Sequence, residues 1–271
     1  MKIGKATVPE SAICTSDDET IVVRGADLAR DLIGRVSFTD YFWLLVTGER
    51  PNAMQSRVLD ATLVAIAEHG LVPSVQAARM TLAAAPDALQ GAVAAGILGC
   101  GSVILGASET AGRLLLRIDA LARDKALSLD DAASEVVREL RAAKQAIPGY
   151  GHPLHKDRDP RVARLFAVAA EAGTPGRFVA LAEAVEKVLP GLTQRDLRLN
   201  VSAAIPAVLL DVGFPAEALR GVPILARCAG LIGHLTEELA RPIGFALSYQ
   251  ATREQRYTGA LPSGVTIKSS S

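Results

Sequence analysis

The stretch Ile147-Pro148-Gly149-Tyr150-Gly151-His152-Pro153-Leu154-His155-Lys156-Asp157-Arg158-Asp159-Pro160-Arg161 separates two segments that both read as helix. Its crowding of proline and glycine stops a helix from running through. A loop that sets imidazole and guanidinium groups on a helical scaffold is where function concentrates. Gly149 and Gly151 let the backbone approach a ligand with no Cβ in the way and can aim N–H groups at one anion. His152 follows directly, and its ring can hydrogen-bond a keto or hydroxyl oxygen and move a proton near neutral pH. Lys156 offers a mobile point charge suited to a phosphate. Arg161, at the start of the next helix, offers a planar fork suited to a carboxylate. Taken singly, Lys156, Asp157, Arg158 and Asp159 read as a solvated charged loop; His152, flanked by glycine and followed by Asp-Pro-Arg, reads as a site. His152 and His155, at i, i+3 with Pro153 between them, lack Cys or carboxylate partners, so no metal site is expected.

On either side the pattern is helical. Alanine is abundant, aromatics are 4% of the 271 residues, and β-branched runs are short. Ser37 or Thr39 can cap a helix through Trp43 that closes at Gly48 and Pro51. Further helices are expected at Ala53–Glu68, Val75–Ala84, Gln90–Leu105, Glu109–Lys125, Asp130–Gln145, Pro160–Ala172, Arg177–Val188, Leu197–Val212, Ala216–Leu219 and Ile224–Leu239. Thr20–Arg24 is the one expected strand, and Leu261–Ser271 reads as a frayed tail. The apolar run Gly91–Ala107 is rich in Ala and Gly and a little short of the roughly 20 residues of a membrane span. It reads as a buried helix, in the core or at a dimer interface.

Twenty-nine basic residues balance twenty-nine acidic ones, which gives no reason to expect a nucleic-acid partner. Cys14, Cys100 and Cys228 are odd in number and far apart, as expected of reduced thiols. Met1, Lys2 and Lys5 precede no apolar stretch, so a cytoplasmic protein with no membrane association is expected.

Gly-Tyr-Gly-His, a basic residue and Asp-Pro-Arg together resemble the signature of the citrate synthase family. The likeness recurs along the chain. Ile21–Pro51, with Arg24-Gly25, Asp31-Leu32-Ile33 and Trp43–Pro51, is similar to the family's amino-terminal segment. Ala67-Glu68-His69-Gly70 resembles its Ala-Asp-His segment, and Leu199-Asn200-Val201 its Asn-Val-Asp. Ala226-Arg227, Gly230, Gly233-His234 and Glu237 resemble its Ala-Arg-x-x-Gly-x-x-x-His. The resemblance implies an all-α, citrate synthase-like fold, with a large lobe of about 1–110 and 195–271 and a small lobe of about 111–194. It also implies a homodimer acting on an acyl-CoA and a dicarboxylate. A full citrate synthase inserts a long extra segment between Pro51 and His69, and the compact spacing here is similar to the short citryl-CoA lyases.

The same resemblance assigns roles. His69 and His152 would hold the oxygen that alternates between hydroxyl and carbonyl, with His152 the proton acceptor. Arg161, Arg227 and, across a dimer interface, Arg241 would hold carboxylates; Gly149, Tyr150, Gly151 and Lys156 would bind coenzyme A. Two positions depart from the family. Ile104 stands where a synthase has the histidine that stabilises the enol oxygen, and Ser202 where Asn-Val-Asp supplies a carboxylate base. Three functions stay open: cleavage of citryl-CoA or a related 3-hydroxy-acyl-CoA to acetyl-CoA and oxaloacetate, condensation as in a citrate or 2-methylcitrate synthase, and a non-catalytic acyl-CoA or dicarboxylate-binding role. Ser202, alone too weak a base to deprotonate a carbon acid, tilts the expectation toward cleavage.

Overall fold

The computed structural model describes residues 10–151 and 159–266. Helix dominates, as the composition leads one to expect. The exception is a small antiparallel sheet at the amino-terminal end, β1 (Cys14–Ser16), β2 (Ile21–Val23) and β3 (Ala26–Asp27), in that order. Arg24 and Gly25 both have positive φ and join β2 to β3 in a two-residue hairpin of the kind that matches strand twist. The Arg24 guanidinium then reaches the Leu45 carbonyl, at 2.6 Å from Nη2, pinning the hairpin to the first helix.

Eleven α-helices follow among the described residues: α1 (Phe38–Thr47), α2 (Ala53–Ala67), α3 (Pro73–Ala84), α4 (Leu89–Leu98), α5 (Gly106–Asp124), α6 (Leu129–Ala142), α7 (Pro160–Glu171), α8 (Arg177–Thr193), α9 (Val201–Asp211), α10 (Gly221–Ala240) and α11 (Gly244–Glu254). Ser37 caps α1 by accepting from the Asp40 N–H, and Gly48 ends it in the left-handed conformation. Both signals were visible in the sequence.

Two compact units emerge, one comprising the chain up to Ala65 with Leu105–Pro223, the other Ile66–Ile104 with the chain from Ile224 onward. In the first, nine of the eleven residues of α9 are buried, and α5, α7 and α8 pack around it. A helix apolar on every side needs such a wrapping. Residues 111–194, expected as a small lobe, fall in this unit together with α9. In the second unit, Val75, Ala78 and Leu82 of α3 meet Ala92 of α4 and Leu231 and Leu235 of α10. Gly96 allows this approach: a Cβ there would fall 2.7 Å from Leu231 Cδ1 and 2.9 Å from the Ser74 carbonyl.

The expected helix Gln90–Leu105 is corrected. It ends at Leu98, and the chain turns through residues 99–105 before α5 begins. Gly99 and Gly101 weaken helix here, and Leu105, with φ of 66°, cannot continue one. Nor is the whole run buried: Leu98 and Val103 are each more than four-fifths exposed. No helix among the described residues is long and apolar enough to cross a membrane. The expected start of α9 at Leu197 also moves, because Leu199 forms an antiparallel bridge with Tyr150. α11 was not foreseen.

Candidate functional site

The expected site residues fall on both units, and His152 and Lys156 lie outside the described residues. In the first unit the glycine loop is fastened to the start of α9. The Asn200 N–H donates to the Gly149 carbonyl at 3.0 Å and the Gly151 N–H to the Arg198 carbonyl at 2.7 Å. The Asn200 side chain donates to the Gly151 carbonyl at 2.7 Å while its oxygen accepts the Ser202 N–H at 2.9 Å, capping α9. Asn200 thus does two jobs at one corner. Gly149 has φ of 87°, and a Cβ on it would sit 2.4 Å from the Ala203 Cβ. Glycine is required there by space as well as by conformation.

Two expectations for this loop need correction. The Gly151 N–H is spent on Arg198 and cannot face an anion. Tyr150 is buried, and its hydroxyl donates to the Ala182 carbonyl at 2.9 Å. Burial, followed by the nearby Glu186 carboxylate, pushes that phenol well above its ordinary range, so it stays neutral. What Tyr150 can offer coenzyme A is backbone alone.

Asp159 caps α7 through the Arg161 N–H at 3.0 Å, and its two oxygens grip the Arg161 guanidinium at Nε (3.0 Å) and Nη2 (2.8 Å). Burial raises the Asp159 carboxyl, but the Arg161 fork and backbone N–H groups outweigh it and hold the group below its usual range. One edge of the Arg161 fork is therefore occupied by its own loop. Nη1, buried and without a hydrogen-bond partner among the described residues, is the edge left for an acid. Ser202 sits half-buried in the first turn of α9.

In the second unit Arg227 is fully buried on α10, and its Nη2 lies 3.2 Å from Nδ1 of His69. A guanidinium only donates, so Nδ1 must be the acceptor and the His69 proton rests on Nε2. A donor is thereby assigned to that ring edge. Arg241 is exposed; its carbonyl accepts from Arg79 Nη2 at 3.1 Å.

A polar cluster adjoins the pair. Arg79, 2% exposed, pairs with Glu238 at 2.6 Å and with Glu237 at 2.8 Å. Its Nη1 lies 3.4 Å from His234 Nδ1, and His234 Nε2 is 2.9 Å from Glu68. Glu68 also accepts the backbone N–H groups of His69 and Gly70. Burial raises the Glu68 carboxyl, but His234 and these N–H groups prevail and hold it below its usual range. Sequence reasoning missed Arg79 and the role of Glu68. The available signal was a lone arginine on the apolar stripe Val75, Ala78, Leu82. Among the described residues no group of three or more His, Cys, Asp or Glu side chains is placed to hold a metal.

With this geometry in hand, comparisons with known proteins agree on one family. Residues 49–243 match the family described as citrate synthase, C-terminal domain. The chain is 33% identical to citryl-CoA lyase from Hydrogenobacter thermophilus, covering 96% of this chain and 98% of that one with a TM-score of 0.83. ATP citrate lyase from Methanosaeta concilii, solved in complex with (3S)-citryl-CoA, shares the fold at a TM-score of 0.73 and 23% identity, over 97% of this chain and 43% of that one. Citrate synthase from Deinococcus radiodurans is 29% identical over 80% of this chain and 56% of its own length. The chain spans about half the length of the curated citrate synthases and synthase-like proteins it matches.

Proposed function

For a chain that belongs to the citrate synthase family, we propose carbon–carbon bond cleavage: citryl-CoA, or a related 3-hydroxy-acyl-CoA, is split to acetyl-CoA and oxaloacetate. One asymmetry carries the proposal. The acid-holding residues are kept, Arg227 buried against His69 and Arg161 with a buried open edge, whereas the first turn of α9 presents Ser202 where condensation needs a carboxylate. The near full-length likeness to a citryl-CoA lyase supports the same direction.

In the cleaving direction His152 accepts the tertiary hydroxyl proton, and the C–C bond breaks as that oxygen becomes the oxaloacetate carbonyl. The bonding pair moves into the thioester to give an enolate, which a proton completes as acetyl-CoA, so protons balance overall. His69, protonated on Nε2, donates to the alternating oxygen. By the family resemblance, Arg227 and Arg161 take carboxylates. A carbanion equivalent needs only a proton donor, which the Ser202 hydroxyl or water supplies. Condensation would need a carbon acid deprotonated, and losing a general base costs on the order of 10²–10⁴ in rate.

The same proposal has coenzyme A bound beside the glycine loop with Lys156 on a phosphate. It has the protein acting in the cytoplasm as a homodimer whose Arg241 reaches a partner's acid. Incubation with citryl-CoA, followed by mass spectrometry of the thioesters, is the direct test. Release of acetyl-CoA, abolished in a folded His152→Ala variant, is expected; citryl-CoA left intact at high enzyme concentration would overturn the substrate. Thiol release from acetyl-CoA and oxaloacetate at ordinary turnover would favour the synthase instead. Sedimentation velocity tests the dimer.

A further inference from the structure

α10 lines up Arg227, Gly230 and His234 at intervals of three and four residues, which puts them on one face of the helix. The end of α2 lies against that face so closely that a Cβ on Gly230 would stand 2.2 Å from the Ala67 carbonyl and 3.1 Å from Glu68 Oε2. Two pairs form here just past the end of α2, one on each side of the glycine. Arg227 faces His69 Nδ1, and His234 Nε2 faces the Glu68 carboxylate. The other edge of His234 looks at Arg79, whose guanidinium has only hydrogens to offer, so His234 Nδ1 is an acceptor and its proton rests on Nε2. Arg79 is fixed in turn by Glu238, a buried carboxylate that also accepts the N–H groups of Ile243 and Gly244.

The result is a polar cluster in which Glu238 holds Arg79 and Arg79 faces His234; His234 Nε2 comes within 2.9 Å of Glu68 without a hydrogen bond, and Glu68 in turn accepts the backbone N–H of His69 at 2.8 Å. We propose that Glu68 is a positioning residue: with His234 beside it, it accepts the N–H groups of His69 and Gly70 and so fixes the backbone of His69, keeping the ring registered on Arg227 with its proton on Nε2. Its effect on turnover rests on the cleavage proposed above. Its effect on the His69 ring does not.

Charge on Glu68 is the working part, so Glu68→Gln keeps the shape and removes the strong acceptor. The expected result is a loss of kcat on the order of 10²-fold, the scale of a misplacement of about 1 Å at a reacting group, with KM for citryl-CoA nearly unchanged. Glu68→Asp, which keeps a carboxylate, should recover part of it. In ¹⁵N-histidine-labelled protein, which has four rings to assign, the His69 signals should move from a single Nε2–H form to a mixture in Glu68→Gln. A folded Glu68→Gln with wild-type kcat and unaltered His69 signals overturns the proposal. Should that variant fail to fold, His234→Leu decides: unaltered His69 signals there overturn it equally. A wild-type protein that leaves citryl-CoA intact while Glu68→Gln still shifts the His69 ring defeats the substrate and spares the positioning role.

Discussion

Two arginines, both expected to hold an acid, are prepared in opposite ways. Arg161 is set by its own neighbourhood: Asp159, two residues before it, caps the helix and grips one edge of the fork. Arg227 is set by residues far away in the chain, with His69 at a separation of 158, and is buried outright. The first arrangement is a local motif that any backbone following Asp-Pro-Arg can form. The second exists only when α10 and the end of α2 are already packed. One of these two expected acid-holding arginines is therefore cheap to set in folding terms, and the other is bound up with the core.

The comparison breaks first at Arg79, which supports the non-local half. Arg79→Met strands the buried Glu238 carboxylate, and a loss of about 3–5 kcal/mol is expected in urea unfolding, softened if the Ile243 and Gly244 N–H groups retain it. Next comes Gly149→Ala, where the new methyl must displace Ala203. About 1–3 kcal/mol is expected by the same measurement, and an unchanged midpoint would mean the loop is looser than its bonds suggest. Asp159→Ala removes a cap and should cost about 1–2 kcal/mol. The more telling readout there is binding: an unguided Arg161 should raise the dicarboxylate Kd while leaving α9 intact. Smallest is Arg113→Ala, which deletes an exposed pair with Glu109 at i, i+4 and should change stability by about 0.3–0.5 kcal/mol.

Acid sharpens the same contrast. Asp159, Glu68 and Glu238 are all held below the usual carboxylate range, in each case against burial, by cationic or ring partners and backbone N–H groups. A lowered folded value stabilises above the unfolded value and is lost as pH falls through the folded one. Asp211 runs the other way. Burial raises it despite the N–H groups of α8, so its contribution is present below the unfolded value and is lost as pH rises through the folded one. Melting midpoints should therefore drop most steeply below the ordinary carboxylate range, with a shallower drop in Glu238→Gln.

What could be read from the sequence follows the same division. Ser37, Gly48, Asp159 and Asn200 act on residues two to four positions away; the first two were read as cap and stop, whereas Asp159, expected in a solvated loop, is buried, and the cap at Asn200 was missed with the helix started at Leu197. Arg79 was not legible, since its partners lie 158 and 159 residues on and nothing in the α3 pattern announces them. The break after Leu98 was misread because an apolar run was taken as buried, although Gly99 and Gly101 had marked it. Tyr150 was read for its neighbours and turned out to belong to the core. Local chemistry announces itself; burial has to be built.

Gly230 has a mechanical corollary. With α10 resting directly on the Ala67 carbonyl, there is no slack between the helix that carries Arg227 and the turn that carries His69. The pair can only travel as one block. With Arg227 on the acid and His69 on the reacting oxygen, as proposed, any motion that admits or discharges substrate would engage or release both in a single event, with no stage at which one is held and the other loose. Product escape would then be all-or-none, and its rate would be set by how often that block moves, independently of the strength of either contact.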